Sequence, residues 1–152
     1  MKPVNDYTRR SAASEALPLL IRLMVGCVFL SEGVQKFLFA DALGAGRFAR
    51  IGIPAPDIMA PFVGMVEIGC GALVMIGLVA SLASIPLVFD MLVAIATTKI
   101  PILVDKGFWA MAHEARTDWC MLLGSIMLLI AGGGGWSLDG ILFRQSEKRR
   151  KT

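Results

Sequence analysis

The sequence predicts an all-α fold: a four-transmembrane-helix bundle with both termini on the same, cytoplasmic, side. Three observations lead there. Of the 152 residues, 56% are hydrophobic and only 18% charged, and the mean hydropathy is +0.69, well away from the roughly 25% charge of an average soluble domain. Four apolar stretches approach the roughly 20 residues that cross about 30 Å of hydrocarbon. Alternation of period two is absent, and lipid-exposed open strands would leave backbone groups without partners, so neither a barrel nor a sheet is expected.

The first span is expected from Leu17 to Phe39. It carries Arg22, Glu32 and Lys36 and lacks a small-residue cleavage site, so it is read as a retained helix rather than a signal peptide. Ala40 to Asp57, with Gly44, Gly46, Gly52, Pro54 and Pro56, reads as a loop. The second span is expected from about Ile58 to Ala80, and a tight hairpin at Ala80 and Ser81 leads into a third from about Leu82 to Thr98. Lys99 to Asp118 is a second loop, whose middle, Phe108 to Ala115, suits a short interfacial helix. The fourth span is expected from about Trp119 to Gly133, with Gly132 to Gly135 as its terminus and Trp136 as an interfacial anchor. The expected organisation is therefore a cytoplasmic segment 1–16, a membrane domain 17–139 and a basic cytoplasmic tail 140–152.

Charge orients the bundle. With four spans, Lys2, Arg9, Arg10, Arg144, Lys148, Arg149, Arg150 and Lys151 share one side, while Arg47, Arg50, Lys99, Lys106 and Arg116 lie on the other. The positive-inside rule puts the richer side, with both termini, in the cytoplasm. The net charge of +3 follows from this topology and from attraction to anionic lipid, so no nucleic-acid partner is expected. Cys27, Cys70 and Cys120 have no paired spacing, and buried cysteine ordinarily packs as a small apolar residue. Cys120, nearest the outer face, is the candidate for redox reactivity.

Charges inside the spans are the informative residues, because an ionised side chain at the bilayer centre costs at least about 2.5–3.5 kcal/mol. Arg22 and Lys36 stand near span ends and can snorkel. Glu32, Glu67 and Asp90 are short and roughly 10–15 Å deep by helical rise. Arg22, Gly26, Phe29, Gly33 and Lys36 form one stripe of the first span with Glu32 on its flank. Gly64 and Gly71 bracket Glu67, which should therefore face a neighbouring helix. Pro86, four residues before Asp90, frees a carbonyl and suits a kink.

These five residues are expected to meet inside the bundle, biased toward the outer leaflet. A buried ion-pair network that only fixes packing register is the plain structural reading. Against it, three acids facing two bases leave one carboxylate without a partner, which favours a bound proton or a polar headgroup ligand. In the second loop, His113 is a candidate proton group; with Glu114, Arg116 and Asp118 it lacks ligand spacing, and no metal site is expected. Nucleotide-binding motifs and facing histidine pairs for haem are absent from the sequence.

The assembled residues resemble the DoxX family of small four-helix membrane proteins. The match consists of Arg22-x-x-x-Gly26 and Gly33-x-x-Lys36, then Gly52-Ile53-Pro54, then Glu67, Gly69, Gly71 and Gly77-Leu78, and finally Ser137-Leu138-Asp139, covering about Leu17 to Asp139. Ala80 and Ser81 stand where many relatives carry an arginine. The resemblance implies a bacterial inner-membrane subunit linked to quinone or thiosulfate:quinone oxidoreduction in some relatives and to oxidative-stress complexes in others. On this basis the leading expectation is a subunit of a quinone-linked redox system. It would bind a quinone headgroup, with no covalent cofactor, or relay protons through Arg22, Glu32, Lys36, Glu67 and Asp90. The expected partners are the lipid bilayer, a redox enzyme that carries the electron-transfer group, and further copies of the chain. Any turnover would belong to such a complex rather than to this chain alone. A scaffold recruiting redox or stress-response enzymes and a small proton or solute transporter are the alternatives.

Overall fold

The computed structural model describes residues 12–150, with side chains for 16–143, 145 and 146. Among them every regular element is a helix: α1 (Ala12–Leu38), α2 (Ala45–Arg50), α3 (Pro56–Ile76), α4 (Ala80–Lys106), α5 (Phe108–Glu114), α6 (Arg116–Ala131) and α7 (Leu138–Arg150). Ala16–Leu38, α3 and α4 are each long and apolar enough to cross a membrane. The 16 residues of α6 reach only about 24 Å at 1.5 Å per residue. Leu20, Ile58, Phe89, Val104 and Ile130 are all strongly exposed, a surface that suits acyl chains rather than water. The protein is an integral membrane protein.

The long helices pack side by side in the order α1, α3, α4, α6, closing with α6 against α1. The core between them contains Val25, Phe29, Val74, Leu87 and Leu128. Glycine sets the tightest seam. A Cβ at Gly33 would lie 2.7 Å from the Gly64 carbonyl oxygen, and one at Gly71 would lie 3.1 Å from the Gly26 carbonyl oxygen. Only glycine at these positions lets the α1 and α3 backbones come together.

Element ends depart from the sequence reading for identifiable reasons. Pro56, without an N–H to satisfy, opens α3. Gly77, in the left-handed region at φ 72°, closes it with Gly77 N–H to Leu73 and Val74 and Leu78 N–H to Leu73. The reversal between α3 and α4 therefore falls at Gly77 to Val79 rather than at Ala80 and Ser81, which open α4. That helix runs on past Thr98 to Lys106, because lysine is a good helix former, and ends at Gly107 with φ 83°; Lys99 pairs with Asp118 on α6 at 3.1 Å. The first loop contains α2, and the segment expected as a tail forms α7, whose first turn is capped by Gly140 N–H donating to Ser137 Oγ at 3.0 Å. The interfacial helix expected at Phe108 to Ala115 is α5. The side chains of Arg144, Lys148, Arg149 and Arg150, together with Lys2, Arg9, Arg10 and Lys151, lie outside the described residues.

Candidate functional site

Lys36 approaches the end of α1 on the face that meets α3, and Glu67 stands at the middle of α3 between Gly64 and Gly71. The close seam brings them into contact. A Cβ at Gly33 would lie only 3.0 Å from the Glu67 Cβ, so the missing side chain is what makes room for the carboxylate. Lys36 Nζ donates to Glu67 Oε2 at 2.6 Å, and Glu67 is 3% exposed. Asp90, one turn beyond Pro86 on α4, lies beside Glu67 within hydrogen-bonding reach should one of the two carboxyls carry a proton, and Lys36 and Glu32 are its other charged neighbours.

The four side chains line one cavity of about 790 Å³, within the roughly 300–1,000 Å³ typical of small-molecule sites. Its remaining walls are mainly apolar and come from α1, α3 and α4, the α2 segment and the start of α6. Glu67 sits at the centre of α3 and Lys36 near the end of α1, and the cavity extends from them to the α2 segment and the start of α6.

Arg22 lies elsewhere. It is 2% exposed, but fourteen residues of helix place it about 21 Å along α1 from Lys36. There its guanidinium donates to the carbonyl oxygens of Val74 (2.9 Å), Met75 (2.6 Å), Gly133 (3.2 Å) and Trp136 (3.0 Å). Its work at this position is to close the ends of α3 and α6. Asp139 joins the same junction, its N–H donating to Gly77 O at 3.1 Å and its Oδ2 accepting from Ala80 N–H at 3.2 Å. His113 is exposed on α5 beside Arg116, whose Nη1 is 2.7 Å from His113 Nε2, and it is not among the cavity walls. All three cysteines are free thiols, with Cys27 and Cys120 exposed and Cys70 half-buried.

The sequence reading missed several polar groups on the cavity wall. Arg47 lay in what read as a loop. Thr97, Thr98 and Asp118 also line the cavity. The threonines stand seven and eight residues beyond Asp90, on its own face of α4 by helical period, so that signal was present. Asp118 stayed hidden because its position depends on how α6 packs on α4.

The DoxX family model matches residues 17–100. The chain is 53% identical over 134 residues to an uncharacterized membrane protein of Mycobacterium tuberculosis, an alignment covering 84% of this chain and 82% of that one. It is 29% identical over 126 residues to CatD of Bacillus subtilis, a protein provisionally named an oxidoreductase, covering 83% and 87% of the two chains. No solved structure matches.

Proposed function

The chain belongs to the DoxX family, and from that premise we propose that it is a membrane subunit of a quinone-linked redox system, with four spans and both termini in the cytoplasm of a bacterial cell. The observation that carries the proposal is the convergence of Lys36, Glu67, Asp90 and Glu32 on one largely apolar cavity. The provisional oxidoreductase name of the Bacillus subtilis relative agrees with it.

The donor set suits a quinone headgroup. Lys36 has N–H groups to offer a carbonyl oxygen beyond the one it gives Glu67, and the apolar walls suit a flat ring. A quinone bound here would supply two-electron, two-proton redox chemistry, with the electrons coming from a partner enzyme. The chain's own residues hold and move protons. Three carboxyl groups gather around one ammonium, and burying an unpaired carboxylate is costly, so a proton held between Glu67 and Asp90 is the natural counter-ion. Glu67 and Asp90 then form a proton-exchanging pair whose position Lys36 fixes by its 2.6 Å contact.

Equilibrium binding of a short-chain quinone to the purified protein tests this reading. Glu67→Gln should weaken binding by about tenfold or more, the equivalent of about 1.4 kcal/mol. Equal binding by the variant removes the assignment of this site.

A further inference from the structure

Resting on the reading of this cavity as a ligand site, we infer that it loads sideways from the bilayer, through an opening between α3 and α4 flanked by Phe62 and Phe89. Its ligand is then an amphiphile with a hydrogen-bond-accepting head and an apolar chain.

The walls indicate the direction. Phe62 on α3 and Phe89 on α4 both line the cavity, yet they are 54% and 69% exposed on the outer face of the bundle. In a membrane this exposed surface meets acyl chains, so the two rings connect the cavity with the lipid. Elsewhere contacts narrow the cavity, although Gly52, Pro54 and Thr117 at its α2 end are exposed as well. The glycine seam shuts α1 against α3. At the α2 end Phe48, only 7% exposed, fills part of the wall, and Arg50 ties α2 to its own preceding turn by donating to the carbonyls of Asp41 (3.1 Å) and Ala42 (3.0 Å). The corner of α4 and α6 is tied by Lys99 and Asp118.

Chemistry selects the ligand class. An opening bordered by phenyl rings offers no partner to a hydrated solute, which would shed water without compensation. A methylene chain passes at no such cost, and a head that accepts hydrogen bonds meets Lys36 near the end of α1. The head therefore sits at the charged cluster while the chain leaves between the phenylalanines.

Photolabelling of the full-length protein in lipid nanodiscs tests the inference with two probes. One is a long-chain alcohol with a diazirine on its chain, and the other is a naphthoquinone with a decyl chain ending in a diazirine. Adducts are located by mass spectrometry. The expected result is labelling of inward-facing Val63, Val66 or Pro86 in addition to outward-facing Leu92. Val66→Phe, which fills the cavity, should cut the inward adducts at least about fivefold while leaving Leu92 labelled, which shows that the variant is folded and inserted. Chain adducts confined to outward residues, or concentrated on Ile53 and Thr117 at the α2 end, overturn the opening between α3 and α4. Inward labelling by the alcohol but not the naphthoquinone keeps the opening and rejects the quinone reading instead.

Discussion

The guanidinium of Arg22 donates to four carbonyl oxygens at the end of α3 and in the glycine-rich link between α6 and α7, where helical partners run out; Val74 also accepts from Gly77 N–H. Helix C-termini carry partial negative charge, so a buried cation is favourable there, and the planar fork reaches several acceptors at once. A lysine offers a single point charge on a flexible stem. Arg22→Lys is therefore expected to destabilise the protein by about 2–4 kcal/mol, measured by thermal unfolding in detergent, with quinone affinity of the folded fraction unchanged. A loss of affinity with stability intact would place Arg22 in the binding site after all. Sequence alone grouped Arg22 with Lys36 because both lie on one stripe of one helix. Helical period reports a shared face but not what faces it, and two different neighbourhoods meet the same stripe about 21 Å apart.

Matching glycines at spacings of seven, Gly26 and Gly33 on α1 and Gly64 and Gly71 on α3, determine how closely two helices approach. A Cβ at Gly33 would meet both the Gly64 carbonyl oxygen and the Glu67 Cβ. Gly33→Leu should therefore separate α1 from α3, with a loss of about 1–3 kcal/mol as in other overpacked cores, and should weaken the contact of Lys36 with Glu67. Unchanged thermal stability would contradict the seam. At the other end of α3 the chain turns through Val79, a β-branched residue in the left-handed region at φ 45°, where glycine alone is unstrained. Val79→Gly should raise the unfolding temperature, by the equivalent of about 1 kcal/mol; a fall would mean the valine side chain contributes more than its backbone costs. The glycine seam and the inward direction of Glu67 were legible because small residues at helical spacing have a single physical use in an apolar span. The full length of α4 was not. Lys99 reads as the end of a span until Asp118, from a helix that follows it in sequence, neutralises it. The six residues of α2 were hidden by glycine content that suits a loop equally well.

For the molecule as a whole, the proposed topology has an awkward member, since α6 has 16 residues and reaches about 24 Å across a hydrocarbon layer of about 30 Å. The apolar surface around it, including Leu123 and Ile130, favours a short span with locally thinned lipid over a surface helix. A phosphatase fused after Glu114 should be active only outside the cytoplasm, and one fused at Thr152 inactive; activity at both sites would leave three spans. The inward placement of Glu67 among α1, α3 and α4 was foreseeable in kind from intramembrane charges that had to avoid lipid, while the phenylalanine-flanked side of the cavity depends on helix rotation that no spacing reports. All of the functional argument depends on charged groups from separate helices making one internal cluster. A double-mutant cycle between Lys36→Met and Glu67→Met, read by unfolding in detergent, measures that most directly. Each single change should cost about 3–5 kcal/mol by stranding a buried charge, and the pair together clearly less than their sum. Additive losses would mean that Lys36 and Glu67 do not meet inside the folded protein.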